Sequence, residues 1–403
     1  MDKGDLLIDF FSSEFKTQAH AIYAKLREQH PIYPITMPNG KTAWVVTRYD
    51  DVIKVLKDQR FLRDSTKFHS AKNRDIAPSL ERRVLLTNML SSDPPDHTRL
   101  RSIVQKAFTP RIVAELHGRI QKVADAQIDR VLEQGEMDVI QDFAIPISIH
   151  VICETLGIWD KDHKLFREWS QTFNEASNDP EKMELLRSTT LAYVSYMKEQ
   201  FEFRKRNPQK DLLTELVQVK DGDGLTEDEL YSMVFLLLSA GHETTVNMIG
   251  NGVLALLENP QQLSLLRTKP ALMDTALEEL LRYYSPAEVG TNRYAAEDIS
   301  FYEVTIKKGD IVLAVLASAN RDERKFPYPD QLDITRKPNH HIAFGYGIHY
   351  CIGAPVARLE GKIVFPTLLK RLSNIQLQEK IEKLEWNNTF IMRGLRSLPV
   401  SFL

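Results

Sequence analysis

One cysteine of this 403-residue chain stands where a thiol can do chemistry. Cys351 lies in Phe344-Gly345-Tyr346-Gly347-Ile348-His349-Tyr350-Cys351-Ile352-Gly353, and a helix-like run, Ala354 to Phe365, follows directly. A lone cysteine is most often an inert, buried small hydrophobe. Glycines at 345, 347 and 353 instead mark a backbone that approaches something closely. A thiolate at the start of a helix meets the positive end of the dipole and free N–H groups, which stabilise the anion and suit it to hold a metal. Phe344 can cover one side of the sulfur, and His349 is a donor two residues away. Two further groups carry possible chemistry. Ala240-Gly241-His242-Glu243-Thr244-Thr245 sets an acid and a hydroxyl in an apolar stretch. His97 and Arg101, four apart, share a helical face and can clamp an anion, although an arbitrary pair of this kind is more often solvated surface.

These residues need elements to hold them. The mid-chain group falls in the longest expected helix, opened by the capping box Thr226-Glu227-Asp228-Glu229 and closed at Asn259 before Pro260. At 1.5 Å per residue it spans about 50 Å. Its middle, Met233 to Ala240, is apolar nearly all round and therefore buried. A glycine there costs about 1 kcal/mol relative to alanine. Ala240 and Gly241 can serve tight helix packing or leave room for a ligand. Thr244, one turn on, can bond the Ala240 carbonyl and loosen the helix.

Other helices are expected at about 17–29, from Asp50 or Asp51 (as cap) to Leu56, from Asp93-Pro94-Pro95-Asp96 onward, and at about 111–133, 144–157, 160–176 and 180–206. Pro38-Asn39-Gly40 reads as a hairpin turn before Trp44-Val45-Val46. Residues 60–95 read as a long loop. Without an internal linker or repeat, residues 1–403 read as one large domain, mainly α with small β-sheets, around a buried long central helix.

The cysteine segment matches, position for position, the haem-binding loop of the cytochrome P-450 family, Phe-Gly-x-Gly-x-His-x-Cys-x-Gly, and the whole chain resembles its soluble bacterial branch. The resemblance implies haem b (iron protoporphyrin IX) with Cys351 as axial ligand. It implies that His97, Arg101, Arg293 and His349 hold the propionates, with Phe344, Gly353, Ala240 and Gly241 also against the cofactor. Glu243 and Thr244 correspond to the proton-relay pair of the oxygen-binding groove. Glu279-Leu280-Leu281-Arg282 corresponds to the family's Glu-x-x-Arg pair, completed by Arg336. The same pattern at Glu184-Leu185-Leu186-Arg187 reads as surface. Tyr302-Glu303-Val304-Thr305-Ile306-Lys307-Lys308-Gly309 departs from the bacterial pattern, in a hairpin expected far from the metal. The implied substrate pocket draws on Met89, Leu90, Val234, Leu237, Ala287, Val289, Ile391 and Met392, with Phe390 beside them.

The implied activity is a haem-thiolate monooxygenase that inserts one atom of O₂ into a C–H bond of an apolar small molecule: a fatty acid, terpenoid, steroid or polyketide. A peroxide-using peroxygenase and a non-catalytic haem sensor are the alternatives; the Glu243-Thr244 pair weighs against the first. With no fused electron carrier, the expected partner is a ferredoxin or flavodoxin with its reductase, meeting Lys106, Arg111, Arg358 and Lys362. A net charge of −3 argues against nucleic acid and anionic membranes. Two cysteines form no disulfide framework, which fits a reducing cytoplasm, and Cys153 reads as core. The start, Met1 to Asp5, lacks a signal peptide, and the longest apolar run, Met233 to Leu238, is too short for an anchor. A cytoplasmic monomer is expected.

Overall fold

Ser12 opens the first helix by accepting the Phe15 N–H, and α1 (Ser13–Gln29) runs to the break before Pro31. A computed structural model describes residues 8–37, 40–68, 78–106, 108–176, 180–219, 224–387 and 389–403. Met1 to Asp5, the turn residues Pro38 and Asn39, and 69–77 of the expected loop lie outside them. β1 (Ile32–Thr36) and β2 (Thr42–Val46) pair antiparallel, Ile32 opposite Val46. With β3 (Phe61–Leu62), β4 (Arg293–Ala295) and β5 (Ile311–Ala314) they form one sheet in the order β1-β2-β5-β4-β3, where only β2 and β5 run parallel. This sheet fixes Arg293, at the head of β4, opposite Val312.

Two local expectations are corrected. The helix Tyr49–Lys57 is capped by neither Asp50 nor Asp51. Asp322 accepts the Tyr49 N–H at 2.8 Å, so a distant carboxylate takes the capping role, while Asp51 turns inward to the Tyr302 hydroxyl. Residues 60–95 are not one loop: they contain β3, a 3-10 turn at Ser65–Phe68 and the helix Leu80–Leu86, capped by Ser79. These pieces are too short to show a period. The 302–309 departure does fall in a separate two-stranded hairpin, Ile299–Phe301 with Val304–Ile306.

Then α2 (Asp96–Gln105) carries His97 and Arg101. A π-helical stretch, Val139–Ala144, continues into α3 (Ile145–Leu156), and the 18 residues together are long and apolar enough to cross a membrane, with 61% of them buried in the protein. The apolar-run estimate missed this segment because Gln141, Asp142 and Pro146 interrupt it. It bridges two core clusters and packs along the central helix. Cys153 is fully buried there, its thiol pushed up to about 12 by burial.

α4 (His163–Ala176) and α5 (Met183–Arg206) follow, and then the central helix α6 (Glu227–Glu258), with both halves of the Thr226/Glu229 capping box made. Thr244 bonds the Ala240 carbonyl at 2.7 Å, yet α6 stays helical throughout rather than loosening. α7 (Met273–Tyr283) carries Glu279 and Arg282. α8 (Ala354–Arg371) begins after Cys351 and outruns the expected end at Phe365, passing through Pro366. Pro366 removes one helical hydrogen bond, but Ile363, Val364, Phe365 and Leu368 are buried around it and hold the helix.

Candidate functional site

A cavity of about 480 Å³ lies between the middle of α6 and the Cys351 loop. The loop is built by its glycines. Gly345 and Gly347 have φ of 73° and 77°, and a Cβ on Gly347 would come within 2.7 Å of the Leu56 carbonyl oxygen. No other residue fits there without strain. The Cys351 N–H donates to Phe344 O at 3.0 Å, which ties the two ends of the loop together. The Cys351 side chain faces the cavity. Enclosure away from bulk water pushes its thiol up, while the N–H groups of Gly353 and Ala354, then Arg101 and Arg358, pull it down. The helix-start effect expected from the sequence is therefore present but outweighed by burial.

Around one side of the loop lie cations with little to balance them. Arg101 donates to Tyr350 O at 2.8 Å, and Arg293 to Thr291 O at 3.2 Å and Thr291 Oγ1 at 2.5 Å. The His97 and His349 rings are 4.3 Å apart. His97 Nε2 is buried without a partner. Burial and the neighbouring Arg293, His97, Arg63 and Arg101 push His349 down to about 2; burial and Arg63 bring Arg293 to about 9. The carboxylate these groups feel, Asp93, already accepts the Arg63 and Asp64 N–H groups and Lys67. The donor set thus fits a ligand that brings its own anions, as the two propionates of a haem would, facing a sulfur able to hold iron.

Arg63, which sequence reasoning missed, belongs to this group. It donates to Leu90 O (2.7 Å) and Asn292 O (2.5 Å), and burial brings it to about 10. A single arginine in an apparent loop gives no signal. Glu360 was missed as well: it borders the cavity from α8, is buried with Oε2 unpartnered, and burial pushes its carboxyl well above the usual range.

Of the residues assigned to the pocket by resemblance, Met89, Leu90, Leu237, Ala287, Val289, Ile391 and Met392 border the cavity. Val234 does not line it: its side chain is fully enclosed in the core, and Leu236, on the other side of the helix turn, borders the cavity instead. Phe390 packs against Phe10 and Phe15 rather than into the cavity. Ala240 and Thr244 border the cavity. A Cβ on Gly241 would come within 2.7 Å of Ile152 Cδ1, so this glycine serves the packing of α6 on α3 as well as the cavity wall. Glu243 is half-buried and is not among the lining residues.

Between Ala287 and Val289, Glu288 turns the other way. It is paired with Lys16 and accepts the Tyr23 hydroxyl at 2.9 Å, all buried; Lys16 also donates to Met392 O at 2.9 Å. α1 thereby holds two cavity-lining segments together. Partners 272 residues apart leave no local pattern.

Glu279 and Arg282 are both fully buried. Arg282 meets Glu279 through two bonds of 2.7 and 2.8 Å, Arg336 Nε lies 3.1 Å from both carboxylate oxygens, and Asn339 and the Asp333 N–H add donors. This ties α7 to the chain leading into the Cys351 loop. Glu184 and Arg187 are exposed. On the outer face, Arg358 is held by Glu278, Lys362 by Asp274 and Arg111 by Glu115, while Lys106 is exposed. Ion pairs therefore mute much of the expected positive charge.

The cytochrome P450 family description matches residues 164–269 and 266–397. The chain is 42% identical to a cytochrome P450 of Bacillus subtilis (strain 168), covering 97% of this chain and 96% of that one. It is 40% identical to the cytochrome P450 monooxygenase PikC of Streptomyces venezuelae, covering 99% and 94%. Among solved structures, P450BioI in complex with an acyl carrier protein ligated to hexadec-9Z-enoic acid superposes with a TM-score of 0.89 at 38% identity, covering 97% of this chain and 100% of that one.

Proposed function

The chain belongs to the cytochrome P450 family and is a haem b monooxygenase, and from that premise we propose that its substrate is an apolar small molecule of the fatty-acid or polyketide kind, oxidised with electrons from a separate ferredoxin or flavodoxin. The observation that carries this reading is the apolar wall, Met89, Leu90, Leu237, Ala287, Val289, Ile391 and Met392, of the same cavity that Cys351 borders. P450BioI's acyl-chain ligand supports the fatty-acid side of it.

In this reading Cys351 would hold the haem iron through its sulfur. Arg101, Arg293, His97 and His349 neutralise the propionates, and the Glu279–Arg282–Arg336 group keeps the ligand loop in register. When bound, haem b supplies the activation of O₂ and the transfer of one oxygen atom. Thr244, which lines the cavity from α6 with its hydroxyl on the Ala240 carbonyl, would supply a hydrogen-bonding hydroxyl to that cavity. Glu243, next to it in sequence and half-buried, would pass protons toward the cavity.

The test is a screen of the ferric holoprotein with fatty acids, polyketide lactones and sugars, reading displacement of water from the iron by its optical shift. Turnover of the hits is then measured with a ferredoxin and its reductase. A shift with acyl chains or lactones but not sugars is expected; shifts confined to polar compounds overturn the substrate class. Thr244→Ala should keep haem and the optical shift while product per electron falls several-fold and hydrogen peroxide rises. A fully coupled Thr244→Ala removes the role given to that hydroxyl.

A further inference from the structure

Away from the cavity, three side chains from three consecutive elements converge: His150 on α3, Asp160 in the 3-10 turn Asp160–Asp162, and His163, the first residue of α4. Their potential ligand atoms all lie within 4.8 Å of one another. We propose that they form a binding site for a divalent transition-metal ion of the zinc class, distinct from the haem site, with Glu154 as a fourth or outer partner.

The geometry is close to what such an ion needs. His163 Nε2 is 3.5 Å from Asp160 Oδ1, and His150 Nε2 is 3.4 Å from Glu154 Oε2. With metal–ligand bonds of about 2.0–2.1 Å, the edge of a tetrahedron is roughly 3.4 Å, so small side-chain rotations suffice. The two imidazoles meet edge to face at 5.3 Å, and their side chains are 26% and 14% exposed. Packing therefore sets the nitrogens before any ion arrives. Asp160, 86% exposed, is free to swing in.

Two features work against binding: the Ile158 carbonyl, 3.3 Å from His163 Nε2, and Arg119, which holds Glu154 at 3.0 Å. The first holds His163 in the tautomer that donates from Nε2, which an ion must displace by moving the proton to Nδ1; the second competes only for Glu154. Two imidazoles with carboxylate select zinc, nickel or copper over magnesium and calcium, which favour all-oxygen sets.

The ion would fasten the start of α4 to α3. α3 supplies Val151, Ile152 and Thr155 to the cavity wall, and α4 packs Phe166, Trp169 and Phe173 into the same core. A metal at this junction therefore stiffens the cavity wall from outside.

Zinc titrated into the haem-loaded protein by calorimetry should bind one ion per chain and raise the melting temperature; magnesium should do neither. His150→Ala and His163→Ala should each weaken zinc at least tenfold, Asp160→Asn less, and His30→Ala, on an exposed histidine elsewhere, not at all. Absence of saturable zinc binding overturns the proposal, as does binding that survives replacement of both histidines. Should the histidine variants lose their fold, Asp160→Asn decides on a side chain too exposed to matter for folding: a fall in zinc affinity supports the site, and unchanged affinity overturns it.

Discussion

Arg282 and Arg293 are both enclosed by protein, at 0% and 2% exposure, yet their charges are met in opposite ways. Arg282 meets a carboxylate from its own helix, and that carboxylate gathers Arg336, Asn339 and a backbone N–H. Among the described residues Arg293 bonds Thr291 alone; the nearest carboxylate it feels, Asp93, is already engaged elsewhere, and Arg63, Arg101 and two histidines are its company. A buried charge without a partner costs several kcal/mol. The first group closes its own account and is architecture. The second is left open, and in the proposed reading an incoming dianion would close it, so that the cost borne by the empty protein would be recovered on loading. The same residue type thus separates scaffold from site by what stands opposite it.

The largest effect should come from breaking the closed group. Glu279→Ala leaves Arg282 buried and uncompensated, a loss of about 3–5 kcal/mol out of the ~5–15 kcal/mol that usually holds a fold together. Denaturant unfolding of the apoprotein should show this, with little folded protein recovered. A loss under about 1 kcal/mol would abolish the distinction drawn here, since Glu279 would then be as dispensable as a surface acid.

The open group should respond differently in its two states. Charge-assisted hydrogen bonds contribute about 1.5–3 kcal/mol each, so Arg101→Ala combined with Arg293→Ala should speed haem loss to an acceptor apoprotein by two orders of magnitude or more. The same double variant should leave apoprotein stability unchanged or higher, because it removes mutual repulsion. A parallel fall of haem affinity and apoprotein stability would make these arginines scaffold too. Arg63→Met should give a smaller effect, several-fold in haem loss, because that guanidinium is partly engaged by Leu90 O and Asn292 O.

The sequence makes one group more legible than the other. The glycine-built loop around Cys351 and the capping box of α6 are written in consecutive letters, and both the loop turn and the helix start stand where those letters put them. His97 and Arg101 are one helical turn apart and can be paired on sight. Arg63 reaches Arg293 only because β3 pairs with β4, a contact between residues over 200 apart. The Lys16–Glu288 clamp and the unpartnered Glu360 are likewise products of tertiary packing; Val234, placed in the pocket by family resemblance, is enclosed in the core instead, on a helix whose middle is apolar nearly all round. Helix ends failed where distant groups intervened: Asp322 caps the helix at Tyr49, and the core around Pro366 carries α8 beyond Phe365.

The smallest effect isolates burial as the cause. Glu184-Leu185-Leu186-Arg187 repeats the spacing of Glu279-Leu280-Leu281-Arg282 letter for letter, also on a helix, so both have the same local geometry and the same i,i+3 reach. What differs is the surroundings: Glu184 and Arg187 stand in solvent, where Coulomb attraction is screened and ordering two long side chains offsets most of the gain. Glu184→Ala should therefore change unfolding free energy by no more than about 0.5 kcal/mol, and haem retention not at all. The residue types and the spacing being equal, a ratio of several-fold between the losses in Glu279→Ala and Glu184→Ala would assign the difference to enclosure and to the added partners Arg336 and Asn339. Comparable losses would mean that Glu184 holds α5 by a contact of its own, and that the four-letter pattern carries weight wherever it falls.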